Sequence, residues 1–479
     1  MNRDPDGLQL SSEEMRRLGH AVVEAIISHF EELADGPVGR RGSRDELEGL
    51  LREPIPEQPR DPLDLLDRVR RDIMPNTLHV DHPRFFAFVP SPGNFVSAMA
   101  DALAAGFNIF AGTWFAGSAA SQIELVTIDW LREICGFPES GGGLFVTGGS
   151  MANLTAIAAA RQARLGGDMT GAVAYMSDQT HSSVGRNFAV LGFAAEQIRI
   201  LPSDAAYRLP LDGLAAAVEA DRAVGLRPFC VVANAGTTNT GAIDPLAAIA
   251  AFCRERKLWF HIDGAYGAPA VVTEQGRQAL AGMEEADSLA LDPHKWLFQT
   301  FESGCILMRD RSLLLDTFQV MPEYLRDTES GHEEVNFGNH GVQLTRSFRA
   351  LKLWMSFQVF GFAAFRNAIA RGIALAELAE RALVESGKWT IVTPAQLAVV
   401  TFRYDSGSMS GEESDLLHTR IVEEVMAEGF ASVTSTSLNG RRLLRLCTIN
   451  PRTSDADMEE TVRRLTATAR RLSRAIAAE

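Results

Sequence analysis

Lys295 stands where an amine could be made reactive. It follows Ser288-Leu289-Ala290-Leu291, a run of strand character, across the break Asp292-Pro293-His294. A lysine hung past the end of a buried strand has its charged form disfavoured, and the neutral amine is the form that attacks a carbonyl. Upstream, His261-Ile262-Asp263-Gly264-Ala265-Tyr266 ends another apolar run on an aspartate. Taken singly, each residue is most simply a polar side chain at the rim of a core strand. Taken as a pair, they offer an amine for a carbonyl and a carboxylate for a protonated ring nitrogen.

A third feature supplies an anion site. Thr147-Gly148-Gly149-Ser150 lies between the apolar run Gly143-Leu144-Phe145-Val146 and a helical stretch from Met151 to Arg164. Glycines let the backbone approach a ligand, and the free amides of a helix start attract a phosphate. No Gly-Lys-Ser/Thr follows, so this is not a nucleotide P-loop, and Ser150 lacks the Gly-x-Ser-x-Gly frame of a hydrolase nucleophile. Two further strand ends carry polar groups, Asp178-Gln179-Thr180-His181-Ser182-Ser183 and Gly236-Thr237-Thr238. In a parallel sheet all these C-terminal ends fall along one edge, where ligands bind. Lysine for a Schiff base, carboxylate for a pyridinium nitrogen and a phosphate cradle together form the set that pyridoxal phosphate requires.

The ordered set of glycine turn, Asp-Gln-x-His-Ser-Ser, Gly-Thr-Thr, His-Ile-Asp-x-Ala-Tyr and Pro-His-Lys-Trp resembles the group II pyridoxal phosphate-dependent amino-acid decarboxylases, and among them the aromatic-L-amino-acid decarboxylases. The likeness runs over nearly the whole chain, including Phe85-Phe86-Ala87-Phe88 and Arg346-Ser347-Phe348-Arg349-Ala350-Leu351-Lys352. It implies a type I (aspartate-aminotransferase-like) α/β fold and a homodimer with shared active sites. It also implies that Lys295 carries the cofactor, Asp263 pairs with its ring nitrogen, and Ala265 and His181 pack on opposite ring faces. Gly149 and Ser150 are expected at the phosphate with His294 nearby, Thr238 and Thr345 among the remaining cofactor positions, and His181 at the substrate carboxylate. Tyr324, in Met321-Pro322-Glu323-Tyr324-Leu325, matches the family's proton donor to Cα; aldehyde-forming relatives carry phenylalanine there.

The likeness has departures. Asp292 stands where many relatives have asparagine, so it must either turn from the phosphate or find a cation. The segment from Ile109 to Ser118 is about two residues longer than in the animal enzymes. Val80 replaces a bulky aromatic, and Thr345 is often glycine or serine. The expected substrate wall, Val80, Phe88, Val89, Pro90 and Ser91, with Phe107, Phe110 or Trp114 of the partner subunit, is apolar and carries no arginine. This favours an aromatic L-amino acid (Trp, Phe, Tyr or dopa) over glutamate or aspartate. An aromatic aldehyde synthase, a decarboxylase of diamino or acidic amino acids, and a catalytically silent binding protein are the alternatives.

These residues need a scaffold to position them. Alternating apolar runs and helical stretches from residue 93 to 370 predict a mainly parallel sheet covered by helices. Residues 1–92 read as a helical arm, with a capping box at Ser11-Ser12-Glu13-Glu14, an irregular stretch over 35–62 and a helix from Leu63 to Ile73. Residues 371–479 read as a smaller α+β unit with strands at 397–402 and 442–446 and a closing helix after Asp455. The 479 residues carry a net charge of −15, which argues against nucleic acid or an anionic membrane as partner. Five scattered cysteines without metal spacing, and no visible signal peptide, fit a cytoplasmic protein needing no metal.

Overall fold

The computed structural model describes residues 7–319, 334–405, 407 and 409–476. The expected apolar runs, with β3 and β7 added to them, form one seven-stranded sheet: β1 (Gly142–Val146), β2 (Ala172–Ser177), β3 (Ile198–Leu201), β4 (Arg227–Asn234), β5 (Trp259–Asp263), β6 (Ser288–Leu291) and β7 (Gly304–Met308). Their order is β1-β7-β6-β5-β4-β2-β3. Only β7 runs against the rest, pairing antiparallel with both β1 and β6. β1, β2, β5, β6 and β7 are buried along their whole length, which is why they read as unbroken apolar runs rather than alternating ones. The architecture is the expected type I fold.

A second sheet, β8 (Trp389–Gln396), β9 (Val399–Tyr404), β10 (Thr434–Leu438) and β11 (Arg441–Cys447), is antiparallel throughout, in the order β10-β11-β9-β8. It shares a separate core with helices 411–427 and 455–476, built on Phe402, Leu444, Leu417 and Leu465. β9 and β11 lie where the sequence predicts them. β8 and β10 are additional, because their half-exposed, threonine- and serine-bearing segments carry no apolar run.

The arm differs from expectation in two places. Within the stretch read as irregular, Arg44–Leu51 is helical, started by Ser43, whose hydroxyl accepts the Glu46 N–H at 3.2 Å. The helix expected over 63–73 is Pro62–Arg68, continued by a wider π turn at Val69–Ile73. The capping box is present: the Ser11 hydroxyl accepts from Glu14 N at 3.2 Å, and Glu14 Oε2 accepts from Ser11 N at 3.0 Å. Helix Ser12–Glu32 buries no residue in the single chain, despite its apolar stripe. Among the described residues no single helix is long and apolar enough to cross a membrane. All five cysteines are buried and free.

β1 is an edge strand, and its outward-facing peptide groups need partners. A buried ion pair supplies them. Glu124 accepts the Phe145 N–H at 2.9 Å, Arg346 donates to the Phe145 carbonyl at 2.8 Å, and the two side chains pair with 0% and 1% of their surface exposed. Arg346 also donates to the Ala111 carbonyl at 3.0 Å. The clamp grips β1 just before the glycine turn. Removing one partner strands the other charge in the core, so Glu124→Ala is expected to cost about 3–5 kcal/mol in urea denaturation. A loss below about 1 kcal/mol would mean the clamp does not hold this edge.

Candidate active site

Because β1, β2, β4, β5 and β6 share a direction, their C-terminal ends open on one edge of the sheet. Gly149 and Ser150 follow β1, His181 follows β2, and Thr238 follows β4. Asp263 ends β5, Ala265 lies just beyond it, and Lys295 follows β6. All seven line one recess of about 430 Å³. All seven were expected within one shared cofactor site from motifs up to 146 positions apart; the sheet direction brings them together.

Helix 149–165 begins at this recess with no side chain capping it, which leaves its first amides available to an anion. A Cβ on Gly149 would come within 2.9 Å of both Ala265 Cβ and Asp292 Oδ2, so only glycine leaves the cradle open. At the other end of the recess lies the Asp263 carboxylate, 7% exposed. Its Oδ1 accepts the Ala265 N–H at 3.1 Å and its Oδ2 accepts from Asn153 Nδ2 at 2.9 Å. Donors on both oxygens hold the carboxylate in place, leaving lone pairs that could meet a protonated ring nitrogen.

His181 precedes helix 182–190, and its Nδ1 accepts the Ser183 N–H at 3.3 Å. Ser183 Oγ lies 2.8 Å from the same nitrogen, so Ser183 anchors the ring through Nδ1. Lys295 Nζ lies 3.1 Å from Asp292 Oδ2. Asp292 therefore points into the recess and finds its cation in Lys295, while its Oδ1 is buried without a hydrogen-bond partner. His294 is buried behind the glycine turn, its Nδ1 at 2.7 Å from the Ser303 carbonyl and its Nε2 at 3.7 Å from Asp292. Burial, chiefly, lowers its pKa.

Other expected positions fall outside this recess in the single chain. Thr345 lines a neighbouring, larger one with Asn108, Phe110 and Phe301. Val80, Phe88, Val89, Pro90 and Ser91 are not among the residues lining the cofactor recess. Ser91 ties their segment to the lysine loop, donating to the His294 carbonyl at 2.6 Å, while Phe88 is 61% exposed. Tyr324 lies outside the described residues. Asn153 was missed by sequence reasoning. Its signal is its place four residues after Gly149, on the same helix face.

The residues present fit pyridoxal phosphate: a lysine and a hydrogen-bonded carboxylate on adjacent strand ends, with an open anion cradle between helix and sheet. On this fold they define a pyridoxal phosphate enzyme. The pyridoxal-dependent decarboxylase conserved domain matches residues 45–405, and the chain belongs to that family. It is 48% identical to an aromatic-L-amino-acid decarboxylase of Bacillus atrophaeus, over 98% of both chains. It is 31% identical to a phenylacetaldehyde synthase of Arabidopsis thaliana, over 94% of this chain and 95% of that one. The crystal structure of Oryza sativa TDC with PLP and tryptamine superposes with a TM-score of 0.92 at 29% identity, covering 97% of this chain and 99% of that one. The cofactor is pyridoxal phosphate and the reaction is decarboxylation.

Gly149→Ala is expected to weaken pyridoxal phosphate binding by about tenfold or more, read from the quenching of tryptophan fluorescence on titration. Unchanged affinity would place the phosphate away from this helix start.

Proposed function

We propose that this protein decarboxylates an aromatic L-amino acid to the corresponding arylalkylamine. The observation that carries the reading is the character of the recess: among its described lining residues Lys295 is the only cation, and it is committed to the cofactor. The aromatic run Phe85–Phe88 and the tie from Ser91 to the lysine loop bring an apolar segment beside the site, in keeping with an aryl side chain. The 48% identity to an aromatic-L-amino-acid decarboxylase supports the same reading.

Each residue then has a task. Lys295 Nζ would hold the cofactor by its amine. Asp263 keeps a proton on the ring nitrogen. When bound, pyridoxal phosphate supplies the electron sink for the pair left as the Cα–carboxylate bond breaks. The uncapped helix start with Gly149 and Ser150, and Thr238 opposite, hold the cofactor in place; Ala265 and His181 confine its ring, and His181 Nε2–H donates to the substrate carboxylate. Orientation decides which bond breaks, since the carboxylate must stand perpendicular to the ring plane. Carbon dioxide leaves, and Tyr324 delivers a proton to Cα in its place.

The working form is a homodimer, residing in the cytoplasm. Helix 12–32 buries nothing within one chain, and Phe107, Phe115, Val342 and Leu344 are exposed near the recess that holds Thr345. A partner subunit covering them would complete the substrate wall. Within the chain, 1–92 serves as the arm, 93–370 as the cofactor-binding unit and 371–479 as the small C-terminal unit.

The test is a product assay with the loaded enzyme on aromatic, acidic and diamino L-amino acids, reading amine, aldehyde and peroxide together. Amine from an aromatic substrate without peroxide is expected, and turnover of acidic or diamino substrates alone would overturn the substrate reading. Tyr324→Phe is expected to divert product toward aldehyde, ammonia and peroxide; undiminished amine yield would remove Tyr324 from its role.

A further inference from the structure

Behind the Asp263 carboxylate lies a line of polar side chains that the reaction itself does not use. Trp259, His261 and Asp263 alternate along β5 and so face one side of the sheet. Ser288 on β6 is paired in register with His261, and Asn153 comes down from the helix above. Trp259 Nε1 lies 2.9 Å from Ser288 Oγ, Ser288 Oγ lies 2.9 Å from His261 Nδ1, and His261 Nε2 lies 2.9 Å from Asn153 Oδ1. Asn153 Nδ2 completes the line, 2.9 Å from Asp263 Oδ2. Exposure along it is 2%, 0%, 0%, 1% and 7%, so no bulk water competes.

The Asp263 end sets the protons. Asp263 Oδ2 accepts from Asn153 Nδ2, so the amide turns its oxygen toward His261, and an amide oxygen can only accept, which puts the imidazole proton on Nε2. His261 Nδ1 lies 2.9 Å from Ser288 Oγ and 3.2 Å from the Ser288 carbonyl, and the Ser288 hydroxyl also accepts from Trp259 Nε1–H. Burial pushes the His261 pKa down to about 4, which keeps the imidazole neutral at physiological pH.

We propose that Asn153, backed by His261 and Ser288, is a positioning residue that fixes the plane and hydrogen bonding of Asp263 beneath the cofactor ring. The inference rests on the reading of Asp263 as partner of the ring nitrogen. With Ala265 N–H on one oxygen and Asn153 on the other, the carboxylate cannot rotate without breaking a buried bond. The remaining lone pairs are left for the recess. His261 acts only through Asn153 and touches no reacting atom.

A structural role alone would change stability and leave the cofactor's electronics untouched, so the readouts are optical. In the loaded protein, Asn153→Leu and Ser288→Ala are compared with wild type for pyridoxal phosphate affinity, melting temperature and the pH dependence of the bound cofactor's visible absorbance. Asn153→Leu is expected to weaken cofactor binding by about tenfold and to displace the absorbance midpoint by at least about half a pH unit. Ser288→Ala, two bonds further back and away from the recess, is expected to displace it the same way by less. It also carries the test should the leucine variant not fold. Unchanged midpoint and affinity, even with a lowered melting temperature, would overturn the proposal. Asp263→Asn separates the two readings: if it shifts the midpoint while Asn153→Leu and Ser288→Ala do not, the relay fails and the role of Asp263 stands. If Asp263→Asn itself shifts nothing, the reading beneath it has failed.

Discussion

A carboxyl group held away from water must be met by hydrogen-bond donors, and this requirement at Asp263 organises the cofactor recess. Charge removed from water is costly unless hydrogen bonds replace the lost hydration. The replacement here comes from the turn after β5 and from a helix that crosses the sheet, so the aspartate, the helix and the strand have to be placed together. The same helix opens the phosphate cradle at its first residue and reaches Asp263 one turn later. One rigid element thus spaces the two poles of the cofactor site.

The second constraint is direction. With β7 alone reversed, the other strands deliver their following loops to a single edge, and residues far apart in the chain become neighbours without long-range design of each pair. The reversed β7 also lets the backbone come close: a Cβ on its Gly304 would lie 2.4 Å from Gly148 Cα. The glycine turn is thus pressed against the sheet from below, while the Glu124–Arg346 pair holds β1 from its open side. A loop built this way is firm enough to present backbone amides to an anion.

Asp292 adds a local electrostatic feature. Its carboxylate pairs with Lys295, and one of its oxygens is buried without a hydrogen-bond partner. The lysine therefore has a counter-ion within the recess.

The residues bearing the chemistry were legible in sequence because each sits in a short string whose meaning is local. A lysine beyond an apolar run and a proline, an aspartate closing a strand, and two glycines opening a helix follow from backbone geometry within a few residues. The fully buried strands β1, β2, β5 and β6 were legible for the same reason, whereas β3 and β7 were not read, and β8, β10 and helix 44–51 carry too little apolar signal to stand out. Nothing local marks Glu124 as the partner of Arg346, 222 positions away, or Asn153 as the link between His261 and Asp263. Nor does any string say that Asp292 turns inward, or that Thr345 lines a different recess from Lys295 within one chain. The sequence by itself determined which groups are available and at which strand ends they emerge. Tertiary structure alone decided which of them meet, because a buried charge or amide chooses its partner by what the packed core leaves within hydrogen-bond distance.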